Sequence, residues 1–147
     1  MKRIVVKLII VGVVLCATPI AGASVTLDAV DGDWTNAQGG TGDDVTIDGV
    51  PVAYGSGLQD QIRWGVPDAQ NVSGEQSGLG FTGIAPPGKL IDLDTPFDIG
   101  QLQHLNFGVN PGTACTSVDL AVTLDFKDAA DSTVFDFSFT IDETPNR

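Results

Sequence analysis

Apolar and polar residues alternate over two runs between Thr116 and Ile141, and this pattern constrains the fold more than any other feature of the sequence. A period of two gives a β-strand one apolar face and one polar face. The polar residues 127–132 between the runs suit a hairpin loop. The sequence therefore predicts two long antiparallel strands that cover one side of a core. Their apolar positions are Val118, Leu120, Val122, Leu124, Phe126, Phe135, Phe137, Phe139 and Ile141.

The register of this hairpin is open to three interpretations. Pairing Phe126 with Phe135 aligns all apolar residues, but it sets Asp125 opposite Asp136 and Asp119 opposite Asp142, and like charges across a ladder are unfavourable. A slip of two residues places Leu124 opposite Phe135 and Asp125 opposite Val134, which keeps the faces and relieves the repulsion. A cation that bridges the aspartates is the third interpretation. The slipped register is the one we predict.

Residues 1–23 have the layout of a secretory signal peptide, which we expect to be helical. Lys2, Arg3 and Lys7 form a basic start, an apolar run follows, and small residues at 21–23 mark a cleavage site. The apolar run is too short for a membrane span, and Leu15 before Cys16 argues against lipidation. The sequence therefore predicts a secreted protein whose residues 24–147 form a single domain.

The predicted mature chain is strongly acidic. It keeps four basic side chains against all 19 acidic ones, and four minus 19 gives a formal charge of −15. Such a surface repels nucleic acid and anionic lipid membranes, so neither is expected as a partner. Of the acids 17 are Asp, a residue typical of turns and calcium loops. An acidic exported surface is the interpretation that we favour, with calcium binding as the alternative.

The remainder of the chain is divided into short strand-like segments by glycine, proline and Asp-Gly pairs. Eight or more strands at a spacing of about ten residues, without a helical period after the leader, predict an all-β fold, an antiparallel β-sandwich or jelly roll. Asp48-Gly49 has the composition of a tight turn, and Trp64 is expected on the core face with Ile62. Residues 67–78 form the longest predicted loop, and Asn71-Val72-Ser73 fits a glycosylation acceptor.

Three carboxylates crowd around a glycine near the start of the predicted domain. Asp28, Asp31 and Asp33 are the candidate calcium ligands, although their spacing does not match a helical calcium loop. We favour an Asp/Gly turn at this place and keep a calcium site as the alternative. Calcium is the sole candidate ion, and no other cofactor is expected.

The sequence offers little support for catalysis. Cys115 is the only cysteine left after processing, so no internal disulfide is expected and the thiol is predicted to be buried. His104, the only histidine, is interpreted as an ordinary residue on the polar side of a strand. No Ser/His/Asp signature or zinc-ligand spacing is present in the sequence. We predict that the protein is not an enzyme.

Five phrases in the same order resemble the choice-of-anchor K domain of bacterial surface proteins. The likeness spans Trp34 to Asn146, and the related Thr-His-x-Asn family of PEP-CTERM proteins is a weaker match, because residues 103–106 here are Gln-His-Leu-Asn. The resemblance implies an extracellular β module followed in relatives by a sorting signal, so a fragment or a truncated copy is expected. The phrases are Trp64-Gly65, residues 76–83, residues 96–106, residues 112–120 and Thr144-Pro145-Asn146.

The function predicted on these grounds is a secreted, cell-surface-associated, non-enzymatic module with a structural or adhesive role. The sequence does not identify the partner, and extracellular polysaccharide or cell-envelope components are the candidates. A calcium-dependent carbohydrate-binding module is the main alternative, and a secreted hydrolase, which needs two carboxylates across one cleft, is the second.

Overall fold

Nine β-strands make up the described part of the chain in this computed structural model. The structure describes residues 5–10, 24–40, 45–54, 57–83, 88–92, 95–127 and 132–142. The strands are β1 Val5–Ile10, β2 Ser24–Gly39, β3 Val45–Tyr54, β4 Gly57–Trp64, β5 Ser77–Gly83, β6 Lys89–Asp92, β7 Phe97–Leu105, β8 Cys115–Phe126 and β9 Thr133–Thr140.

The strands form two antiparallel sheets. Sheet A has the order β1-β7-β5-β4-β3 and sheet B has the order β6-β2-β8-β9. Every described ladder between neighbouring strands is antiparallel. The all-β class and the two-sheet sandwich predicted from the strand spacing are therefore confirmed.

One apolar core lies between the sheets. Trp64 and Ile62 of β4 are fully buried, as predicted, and so are Leu120 and Val122 of β8. The ring of Phe81 on β5 packs against the backbone of Gly32 in the opposite sheet, because a Cβ atom on Gly32 would collide with Phe81 Cδ1. Alternation along the strands thus places the apolar side chains of both sheets in one layer.

The β8–β9 hairpin has a register that the sequence analysis did not identify. Val122 lies opposite Phe135, Leu124 opposite Thr133, and Asp119 opposite Ser138. This pairing is one further two-residue step beyond the predicted slip, so the predicted pairs of Leu124 with Phe135 and Asp125 with Val134 are wrong. The direction of the slip and the two faces were predicted correctly, because each two-residue step preserves the faces and separates the aspartates.

Two predicted Asp-Gly turns lie inside continuous strands. Asp31-Gly32 is part of β2, which runs for 16 residues. Asp48-Gly49 is part of β3, where the ladder to β4 shifts register between Asp48 and Val52. Pro51 lies in this irregular stretch of an edge strand, where a missing N–H is tolerated. The turn predictions at these two sites are wrong because pairing with a neighbouring strand outweighs local turn preference.

The leader segment is only partly described. Val5–Ile10 form strand β1, which pairs with β7 at the edge of sheet A. The helix expected for the leader is therefore wrong for these six residues, and residues 1–4 and 11–23 lie outside the described part. No helix in the described part of the chain is long and apolar enough to cross a membrane.

Candidate interaction surface

The three candidate calcium ligands lie along β2. Asp28 occupies the register shift between Leu27 and Ala29, whereas Asp31 and Asp33 are exposed and lie opposite Thr123 and Ala121 of β8. They belong to a strand and not to the predicted turn. Because Gly32 and Trp34 point into the core, Asp31 and Asp33 lie on the side of sheet B that faces away from sheet A.

This outward side, here called the acidic face, carries aspartates from three neighbouring strands. Residues that face one another on β2, β8 and β9 form three rows across this face. The first row is Thr35, Asp119 and Ser138; the second is Asp33, Ala121 and Asp136; the third is Asp31, Thr123 and Val134. In none of the described pairs of these rows do two aspartates face each other. Direct repulsion across the ladders is therefore avoided, although the face as a whole is strongly negative.

Asp119 of β8 is held by side chains from both neighbouring strands of the acidic face. Its carboxylate accepts a hydrogen bond from Asn36 Nδ2 at 2.9 Å. The Ser138 hydroxyl, followed by Asn36, lowers the pKa of Asp119 by hydrogen bonding to the ionised form. Asn36 reaches this position from a left-handed backbone conformation with φ of 53°, which asparagine tolerates better than most residues. Side chains of three strands thus hold one carboxylate in place.

Replacing Ser138 with Ala should raise the pKa of Asp119 towards the ordinary Asp value of about 3.9. Because the native pKa lies below the unfolded one, this stabilisation is complete above the unfolded value and disappears as the pH falls through the lower folded value. The variant should therefore be less stable than the native protein above the unfolded pKa, and this difference should disappear as the pH falls through the folded value. Carboxyl chemical shifts followed by NMR during an acid titration measure the change, and an unchanged Asp119 titration would contradict the assignment.

None of the described residues forms a group of three or more His, Cys, Asp or Glu side chains that is arranged to hold a metal ion. The calcium site at Asp28, Asp31 and Asp33 remains a prediction. Cys115 is free and buried, as predicted, and burial raises the pKa of its thiol. His104 lies opposite buried Leu79 and so shares the core side of sheet A, which corrects its predicted place on the polar side.

Strand β9 is an edge strand of sheet B next to the acidic face, and no strand in the described part of the chain pairs with its outer side. Its phenylalanines at 135, 137 and 139 are only half-buried, and the Phe139 ring lies 5.8 Å from the ring of Trp34. On the opposite side of the strand, Val134 is 52% exposed. The pairing with β8 is regular from Ser117–Thr140 to Leu124–Thr133. The edge is therefore straight, long and partly apolar.

The polar segment between β4 and β5 is a loop, as predicted. The sequence analysis did not predict the hydrogen bonds within this loop. Asp68 Oδ1 accepts hydrogen bonds from the backbone N–H groups of Gln70 at 2.9 Å and Asn71 at 2.8 Å. Asn71 Nδ2 donates to the carbonyl oxygens of Glu75 at 2.7 Å and Gly108 at 2.9 Å. An Asp side chain that accepts from the backbone N–H two residues further on is typical of such a turn. A glycan on Asn71 would replace one of these donor hydrogens.

Changing Asn71 to Ala should lower the free energy of unfolding by about 1–2 kcal/mol, because two carbonyl groups lose their donor. Urea denaturation measures this difference. The neighbouring Val72 is fully exposed at 101% of its reference area, so Val72→Ala is a matched control and should change stability by about 0.5 kcal/mol or less. Equal effects of the two substitutions would show that the Asn71 bonds do not stabilise the loop.

No protein-family model matches this chain, and no curated protein is significantly similar to it.

Proposed function

We propose that the protein is an exported, non-enzymatic β-sandwich module with a structural or adhesive role at the cell surface. The observation that carries the proposal is the outer edge of β9, which no described strand covers and whose only charged residue is Asp136. Native sheets shield their edges with lysine, proline, bulges or short strands, since open edges pair with other chains. β9 runs for eight residues without a lysine or a proline, and its ladder to β8 has no bulge. An edge of this kind suits docking by strand addition.

Two sequence features support export and surface display. Residues 1–23 have the charge and apolar pattern of a secretory leader. The phrases shared with the choice-of-anchor K domain imply an extracellular module of bacterial surface proteins. The combination favours a protein that works by contact outside the cell.

The acidic face limits which surfaces the module binds. Asp31, Asp33, Asp119 and Asp136 lie on one side of sheet B, so anionic partners are repelled there. This charge permits neutral polysaccharide and neutral or basic parts of the cell envelope as partners. Of these, only a polypeptide can add a strand at β9, because a polysaccharide has no peptide groups and must bind elsewhere on the sandwich. Half-buried phenylalanines at the adjoining edge add apolar contact area.

Production of the full chain in a bacterial host tests export first. We expect the protein in the medium, beginning at Ser24 after loss of residues 1–23. A variant with Leu8→Arg and Ile9→Arg interrupts the apolar run and should remain in the cell. Equal distribution of both proteins would contradict export.

Binding to isolated envelope tests the adhesive role. Beads that carry the exported protein should retain cell-envelope fragments of the host, whereas beads that carry serum albumin should not. Retention of neither envelope nor neutral polysaccharide such as dextran would contradict an adhesive role. Turnover of a polysaccharide, abolished by a single Asp substitution, would favour the hydrolase instead.

A further inference from the structure

The free edge of β9 fits a second copy of itself. We infer that two molecules associate through antiparallel pairing of their β9 strands, which joins both copies of sheet B into one continuous eight-stranded sheet. This inference rests on the proposed role of β9 as a docking edge and names the partner.

The register follows from the phenylalanines. In an antiparallel pair centred on Phe137, Phe137 faces its own copy and Phe135 faces Phe139 of the second molecule. All eight residues of β9 then face residues 134–141 of the other chain. The half-buried rings of both copies lie on the same side of the joined sheet, where aromatic cross-strand pairs stabilise the ladder. Covering these rings extends the core of each sandwich.

The peptide groups of β9 are correctly placed for this pairing. The backbone N–H of Ile141, directly after β9, donates a hydrogen bond to the carbonyl oxygen of Thr116 in β8 at 2.9 Å. Along an antiparallel strand the direction alternates, so odd-numbered residues direct their peptide groups towards β8 and even-numbered ones direct theirs to the free edge. Val134, Asp136, Ser138 and Thr140 therefore present donors and acceptors. Pairing them with the second copy forms about eight hydrogen bonds, two for each facing pair.

Charge selects the same register. Centring the pair on Phe137 places Asp136 opposite Ser138 of the second copy, which repeats the pattern of Asp119 opposite Ser138 within each molecule. A shift that centres the pair on residue 136 sets two aspartates face to face and is disfavoured. In the chosen register the two copies of Asp136 are diagonal neighbours, at about 7–8 Å. Added salt should therefore strengthen the association.

Sedimentation equilibrium of the protein in the form that the host accumulates tests the inference. We expect a concentration-dependent dimer whose dissociation constant falls as NaCl is raised from low to physiological levels. Ser138→Pro removes an N–H group at the free edge without removing one that faces β8, and should raise the dissociation constant at least about tenfold. The matched control Ser138→Ala loses the same hydroxyl group but keeps the N–H, and should stay within about twofold.

Asp136→Asn provides a variant with the opposite expected effect. Removing the diagonal repulsion should lower the dissociation constant about twofold at low salt and have less effect at high salt. This result does not depend on whether the proline variant folds. Thermal unfolding of each variant separates loss of pairing from loss of structure.

Cysteine cross-linking tests the register directly. Val134 and Thr140 of opposite copies face each other in the proposed pair, so the double variant Val134→Cys, Thr140→Cys should oxidise to a disulfide-linked dimer. The control Val134→Cys, Ser138→Cys places its sulfurs out of register and should cross-link at least about tenfold more slowly. Cys115 is buried and does not compete in either protein.

A monomer at all concentrations, or a dimer that Ser138→Pro does not weaken and that the cysteine pairs do not distinguish, would overturn the inference. Envelope binding by beads that carry a monomeric protein would then leave the proposed function in place, with a foreign strand as the occupant of β9. A dimer that retains no envelope or polysaccharide would leave the inference in place and remove the adhesive role.

Discussion

Replacing Phe81 with Ala is expected to lower the free energy of unfolding by about 3–5 kcal/mol. The side chain is completely buried between the sheets. Its ring contacts the backbone of Gly32 in sheet B and of Gly100 in sheet A, where an added Cβ would lie 2.5 Å from Phe81 Cε2. Truncation therefore leaves a cavity that two glycines cannot fill. Urea denaturation followed by tryptophan fluorescence measures the loss.

Leu90→Ala is the control for this experiment. Leu90 lies on the short edge strand β6 and is 66% exposed, so its truncation removes little buried area. We expect a change of about 0.5 kcal/mol or less. If Phe81→Ala costs no more than Leu90→Ala, Phe81 does not fill the space between the sheets.

The substitution Gly32→Ala is expected to destabilise the protein by about 1–3 kcal/mol. Alanine within a strand is otherwise more stable than glycine by about 0.5–1 kcal/mol, so the expected sign is opposite to the general trend. The reason is local: the new methyl group meets Phe81 Cδ1 in a filled core. Chemical denaturation gives the sign directly, and a stabilised variant would contradict the close contact.

A double-mutant cycle separates this contact from backbone effects. In a Phe81→Leu background the methyl group of Gly32→Ala has more room, so its cost should fall by about 1 kcal/mol or more. Strictly additive effects would indicate that the cost of Gly32→Ala arises from the backbone of β2. The cycle uses four proteins and one denaturation measurement for each.

The alternation of the sequence predicted β8, β9 and the fold class, because a period of two is set by the two faces of the strand itself. Asp31-Gly32 was assigned to a turn, yet Gly32 lies in a strand whose neighbour across the core is Phe81. The absence of a side chain at position 32 is explained by the Phe81 ring of the opposite sheet, which occupies the space that a Cβ atom would need. The hairpin register was missed for a related reason, since the faces do not distinguish steps of two residues.

The candidate surface was only partly predictable. Asp31 and Asp33 were identified as acidic residues of interest, but their neighbours Asp119 and Asp136 are far away in the sequence. The strand order β6-β2-β8-β9 brings these aspartates to one face of sheet B. Strand order cannot be inferred from local composition. The bond from Asn36 to Asp119 depends on a positive φ that no pattern indicated.

The pairing of β2 with β8 has a consequence for when the protein acquires its structure. The longest ladder of β2, residues 24–39, is with β8, residues 115–126. Most of the chain must therefore be synthesised before these two strands can pair. Such distant contacts impose a large entropic cost of loop closure and slow folding. We therefore expect the nascent polypeptide to stay unfolded until most of it has been made, which is the state that the proposed export requires.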